Sequence, residues 1–430
     1  MGTRRLPGNE RRTTTFLRSG VLAGACAVAL VAGAGDVYTL SAGGNWSAAA
    51  NWSGAMPTAG GAADATIVFN GTGDIASTND LSGTFLLNRL ESAAGTVTLW
   101  GNTLSFVDSG AAGPQVVQAG EGSATFRSTL SLAADTAFNV ANGALTVGPV
   151  SGSGGLVKTG AGEMLCATNG NGALSFTGAT RVENGTLTIG TSSARSAMSS
   201  SSLTVKNGAT LRILWDWKAH GLFLPDSASI HVESGGTILS DVPTISCGTF
   251  NAVSGATVAG GNGCLSLHAV DSGDTAVSTL GSLSLTRIIL EPYGGANPTQ
   301  TLRFDGTGPG LSIGTDSGRA FSLRPGSSSG HFTFVMDIAD SPAAPIDLLV
   351  PFMNFRPGST VSKYEFVKRG TGVMQVNGLD WSGASAPTRS VDGVIEVGTL
   401  IWNTSATNAA GVNFTTVTVG NDATLQVGAG

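Results

Sequence analysis

Apolar and polar residues alternate along most of this chain in short runs that end at Gly or Asn-Gly. The segment RVENGTLTI around Gly185 is typical. In an extended chain it places Val182, Leu187 and Ile189 on one side and Thr186 and Thr188 on the other. A period of two is the signature of strands, and no helical periodicity competes with it. The same phrase recurs as ESAAGTVTL around Gly95, NVANGALTV around Gly143 and TVKNGATLRI around Gly208. It returns as HVESGGTIL around Gly235 and AVSGATVAG around Gly255, then as SVDGVIEV at Gly393 and TVGNDATLQV, where Asp422 takes the glycine place.

The glycines are spaced informatively. From Gly185 the phrase returns at Gly208, Gly235 and Gly255, and a step of that length is the size of one solenoid turn. A single Asn-Gly between two strands would suggest a hairpin. Repetition at this period, with strands too short to be stable as isolated hairpins, predicts stacked parallel coils instead. Val, Ile, Leu and Ala then fill a shared interior, Thr, Ser and Asn face outward, and Gly and Asn turn the corners because they accept positive φ cheaply. The expected fold is all-β, a parallel β-helix.

Two stretches depart from the rhythm. Residues 35–90 hold the paired NWS motifs at Trp46 and Trp52 ahead of Pro57, and read as an N-terminal aromatic cap over the first coil, or else as a small sugar-stacking surface. Regular coils are expected over 91–290 and again over 358–430. Between them, residues 291–357 carry Pro292, Pro298, Pro309, Pro325, Pro342, Pro345, Pro351 and Pro357, which predict longer loops or an antiparallel excursion.

Residues 154–190 read GGLVKTGAGEMLCATNGNGALSFTGATRVENGTLTIG. This resembles the autotransporter-associated β-strand repeat, whose Gly-Gly-Leu-x-Lys-x-Gly-x-Gly opening is matched by Gly154, Gly155, Leu156, Lys158, Gly160 and Gly162. The closing Asn-Gly-Thr-Leu strand is matched by Asn184, Gly185 and Leu187. A looser second copy spans 364–398, with Lys368, Gly370, Gly372, Trp381, Gly383 and Gly393 at the equivalent places. The resemblance implies a right-handed parallel β-helix, export by a Gram-negative-type bacterium, and a passenger exposed extracellularly or at the cell surface. The membrane barrel of that family has no counterpart in these residues, so a separate or missing outer-membrane translocator is expected.

Composition supports the strand reading. Glycine, at 63 of 430 residues, is roughly twice its usual share. Charged residues make up only 12% and hydrophobic ones 41%, which is too apolar for a disordered chain. Residues 1–34 form a signal peptide: Arg4, Arg5, Arg11, Arg12 and Arg18 precede an apolar run too short to span a membrane, ending in Ala32-Gly33-Ala34. The route is either the general secretory one or the twin-arginine one. Beyond this leader 17 basic residues face 27 acidic ones, which excludes nucleic acid as a natural partner. Cys166, Cys247 and Cys264 then remain. They read as small buried hydrophobes, with a Cys247–Cys264 disulfide as the alternative.

Candidate chemistry is sparse. A phosphate loop needs a helix beginning at its lysine; Gly160 and Gly162 forbid one after Lys158, which is expected to project from a strand end into solvent. Leu156 and Leu165 are expected to point inward. No Gly-x-Ser-x-Gly elbow stands in a strand-to-helix context. His220, His231, His268 and His331 show no metal spacing, and no cofactor or metal is expected. One stretch, WDWKAH at 215–220, places Asp216 and His220 beside two tryptophans. It supports an alternative reading as a polysaccharide-active lyase or hydrolase on a β-helix. The primary expectation is a non-enzymatic structural or adhesive protein whose ligand is a surface or polysaccharide.

Overall fold

The computed structural model describes residues 35–430 apart from 72, 94, 169–173, 192–195, 215–221, 241–243, 254, 260–263, 269–274, 282, 286, 292–298, 315–320, 324–329, 356–360, 381–389, 404–413 and 429–430. Among the described residues there is no α-helix, only one 3-10 turn at Ala49–Asn51. The chain climbs in coils, each laying strands on up to three faces of a β-solenoid. One coil runs through Thr136–Val140 on the first face, turns at Gly143, continues through Ala144–Val147 on the second and Val150–Gly152 on the third. It then re-enters the first face one level up as Leu156–Thr159. The third face is built from two sheets, bridged by the parallel pairs Val150↔Leu174 and Leu174↔Met198.

Every pairing between the described strands is parallel, and from Thr180 to Phe250 the first face is in step with the glycine rhythm. Thr180 lies beside Leu203, Leu203 beside Ile230 and Ile230 beside Phe250. These intervals equal the ones that separate Gly185, Gly208, Gly235 and Gly255. Each strand therefore hydrogen-bonds to its own equivalent one coil away, which satisfies the backbone along the stack. The interior is a set of columns. One runs Leu90, Val116, Phe138, Lys158, Val182, Val205, Val232, and all of its members are buried. Val182, Leu187 and Ile189 face inward as their alternation predicts. Each such side chain contributes roughly 1.5–3 kcal/mol of burial, so the core accumulates coil by coil.

Leu165 behaves otherwise. Met164 and Cys166 are buried and Leu165 between them is only half-buried on the outer side. Three consecutive apolar residues leave the parity of a strand open, and a one-residue slip exchanges its faces. The outward Leu165 stands beside Thr146 and Thr188 of the adjacent coils.

The N-terminal aromatics are buried. Trp46 and Trp52 meet edge to face with centroids 5.6 Å apart, and Trp46 packs the same way on Phe85 at 5.2 Å. Trp46 Nε1 donates to Ser77 Oγ at 2.9 Å, and Trp52 Nε1 donates to the Trp46 carbonyl at 2.8 Å. Both rings spend their faces and their N–H groups internally, so neither is available to stack on a sugar.

Through the proline-rich section the stack does not reverse. Thr299–Phe304 pairs in parallel with the Thr333 to Ile338 part of Gly330–Ile338, and Phe321–Leu323 with Met353–Phe355. Partners in register stand farther apart in sequence there, Phe304 beside Ile338 and Leu323 beside Phe355. The prolines therefore accompany longer coils rather than an antiparallel excursion. Farther on, strands of the first two faces merge. Ser390–Trp402 pairs with Val361–Arg369 through its first half and with Val373–Val376 through its second. Phe414–Val427 then lies on Ser390–Trp402 with Val417 and Val419 exposed.

Candidate functional site

Lys158 is not in solvent. It is wholly buried, at 0% exposure, in a column whose neighbours in register are Phe138 and Val182. The alternation of Leu156–Thr159 places Leu156 and Lys158 on the inner side, so the four methylenes of the lysine replace an aliphatic side chain. Its ammonium ends at the corner between the first and second faces, where it donates to the carbonyls of Thr159 at 2.8 Å, Gly160 at 2.8 Å and Asn184 at 3.1 Å. An ammonium has three donors and no acceptor, and three carbonyls receive them. Asn184 belongs to the following coil, so one lysine ties two successive corners together. Burial pulls the amine down to about 8 from the usual 10.5.

The glycines of the motif are explained by the same corner. Gly160 adopts φ +74° and Gly185, directly above, φ +66°. A Cβ on Gly185 would stand 2.5 Å from the Gly160 carbonyl oxygen and 2.6 Å from that of Gly162. Of these two, the Gly160 carbonyl accepts from the lysine and the Gly162 carbonyl accepts from the Thr186 N–H of the next coil. Gly154 and Gly155 serve another corner, where a Cβ on Gly155 would meet the Ala179 carbonyl at 2.5 Å and its N–H donates to Asp135 Oδ1 at 2.7 Å.

The second copy repeats the device with one correction. Lys368 is also wholly buried and donates to the carbonyls of Arg369 at 3.0 Å, Gly370 at 2.7 Å and Val397 at 3.2 Å, and burial pulls its amine down to about 8. The residue above this corner is Gly398, with φ +77°, and a Cβ there would stand 2.8 Å from the Gly372 carbonyl and 2.9 Å from Lys368 Nζ. Gly393 is not the corner: it sits within Ser390–Trp402, paired with Phe366 and facing inward. The signal that locates the true equivalent is Gly-Thr-Leu, shared by Gly185-Thr186-Leu187 and Gly398-Thr399-Leu400. Trp381 and Gly383 lie outside the described residues.

The remaining candidates separate. Asp216 and His220 lie outside the described residues. Cys166 and Cys247 are free, buried thiols whose burial pushes them up, Cys166 to about 12. Cys247 pairs in register with Leu267 and Cys264 with Thr244, at opposite ends of the paired strands, so the disulfide alternative does not hold for Cys247.

One grouping escapes sequence reasoning. Asp226 Oδ1 accepts from His268 Nδ1 at 2.7 Å, and His268 Nε2 lies 3.0 Å from Ser266 Oγ and 3.3 Å from Ser246 Oγ. The residues come from three successive coils, since Phe223 pairs with Ser246 and Ser246 with Ser266. Gly248 stands in the intervening coil, and a Cβ there would collide with the Asp226 carbonyl oxygen. The one hint in the sequence is the Ser-Leu-His run at 266–268, because positions two apart share a side of a strand.

Comparison of the chain with protein-family models, with curated proteins and with solved structures finds no match in any of the three.

Proposed function

We propose that this chain is an exported, autotransporter-passenger-like β-solenoid. It acts outside a Gram-negative-type cell, or on its surface, as a structural or adhesive scaffold rather than as an enzyme, with a surface or polysaccharide as its ligand. The observation that carries the reading is the pair of lysine corners. The residues on which the resemblance to the autotransporter-associated repeat rests, Lys158, Gly160, Gly162 and Gly185, are spent on joining coils, and none is left facing a substrate. A protein whose recurrent motif serves length and regularity is suited to presenting a surface. The signal-like residues 1–34 supply the route out.

Expression in a Gram-negative host tests this reading. The expected outcome is a chain trimmed near Ala34 and digested by protease added to intact cells, or recovered from the medium. A chain that keeps residues 1–34 and stays in the cytoplasm would overturn it. A release assay on a panel of acidic polysaccharides is expected to be negative; activity that disappears in Asp216→Asn would replace the scaffold with the enzyme reading.

A further inference from the structure

The grouping on the third face holds chemistry that a scaffold does not require. A carboxylate can only accept a hydrogen bond, so the 2.7 Å contact with Asp226 places a proton on His268 Nδ1. In the neutral ring Nε2 is then the basic nitrogen, and it faces serine hydroxyls at 3.0 and 3.3 Å. That is the order nucleophile, base, orienting acid that defines an activated serine by geometry rather than by sequence position. Ser266 is the nearer of the two and retains more exposure, 5% against 2% for Ser246.

We propose that Ser266 is a nucleophile, with His268 as its base and Asp226 as a positioning residue, and that it takes the acyl group of a small carboxylic ester. This goes beyond the scaffold reading and stands apart from it: an adduct on Ser266 would replace the non-enzymatic part of that reading and leave its export and surface parts as they are. The Ser266 oxygen forms a bond to the carbonyl carbon while its proton passes to His268 Nε2. The ester C–O bond then breaks, and the departing alkoxide takes that proton and leaves as the alcohol, with the acyl group on Ser266. The surroundings select the ester. Asp226 lies below the imidazole, and the buried Glu291, whose N–H donates to the Leu267 carbonyl at 2.8 Å, follows His268 in the next coil. The Asp226 carboxylate on the ring disfavours an anionic substrate and the 5% exposure of Ser266 admits only a small acyl group, so the ester is small and neutral.

The test uses the whole chain with a fluorophosphonate probe, which loses fluoride to an activated serine, and with p-nitrophenyl acetate, adducts being mapped by peptide mass spectrometry. The expected result is one adduct, on Ser266, absent from Ser266→Ala and from His268→Gln. Asp226→Asn should slow labelling by about tenfold or more and change its pH profile, which loss of a merely structural contact would not do. Circular dichroism and urea unfolding accompany each variant. Folded wild-type protein without an adduct would overturn the proposal, and so would an adduct on Ser246 or equal labelling of wild type and His268→Gln. Variants that lose stability beside a wild type that never labels would identify the grouping as a clip between coils.

Discussion

A lysine in an apolar column is the residue-scale feature on which this molecule turns. Its ammonium is held by three corner carbonyls in each repeat. Removing the donor deletes three part-buried, charge-assisted hydrogen bonds to corner carbonyls. Lys158→Met and Lys368→Met keep the apolar stem and delete only the charge and its donors. Each is expected to lower stability at pH 7 by about 1–3 kcal/mol in urea unfolding, and the two losses should add because the corners share no partner. The pH dependence carries its own sign. The folded amines titrate at about 8 and an unfolded lysine at 10.5. Between these values the unfolded chain binds more protons, so stability rises with pH through the window and is flat below it. Relative to the methionine variants, the wild type should gain up to about 3 kcal/mol per lysine from pH 8 to 10.5. Period-two alternation puts Lys158 on the same side as the inward Leu156, but its charge outweighs that signal when the sequence is read alone. Charge argues for solvent, and the carbonyls that overturn that argument are backbone atoms brought together only when one coil closes on the next.

At the scale of elements, the rhythm of the chain is legible and its phase is less so. The glycine steps from Gly185 through Gly208 and Gly235 to Gly255 reappear as register offsets, because each corner glycine marks the same point of successive coils. Phase fails where the pattern is degenerate. Met164-Leu165-Cys166 offers two parities, and packing chooses the one that puts Leu165 outside. In the second repeat Asp392-Gly393 imitates a turn, yet the chain continues straight to the corner at Gly398. Alanine substitution separates these two glycines. Gly398→Ala introduces a Cβ at positive φ against the Gly372 carbonyl and is expected to cost about 1–3 kcal/mol. Gly393 has no positive φ and lines a half-open apolar pocket with Phe366, Ile395 and Leu400, so Gly393→Ala should cost less than Gly398→Ala. Equal losses in thermal unfolding would contradict the corner assignment. The grouping of Asp226, Ser266 and His268 is only partly legible: Ser266 and His268 stand two apart on one strand, but Asp226 lies 42 residues from His268, and only the register of the stacked strands brings it to the ring.

For the whole molecule, alternation and period together dictated a parallel stack, and the stack persists through the proline-rich section, where the coils are longer but the described strands keep their parallel register. Phe304 and Ile338, for example, remain paired and buried across that stretch. Such a stack has nearest-neighbour energetics, each coil stabilised by the ones beside it. The most direct test is the distance between outward-facing residues one and two coils apart. Thr204, His231 and Asn251 are consecutive partners on the first face. Spin labels at Thr204 and His231 should sit at about the 4.8 Å strand spacing, and labels at Thr204 and Asn251 at about twice that. Continuous-wave spectra are therefore expected to show strong dipolar broadening for the first pair and weaker broadening for the second. Absence of broadening for the first pair, or an order reversed between the two, would contradict the parallel solenoid.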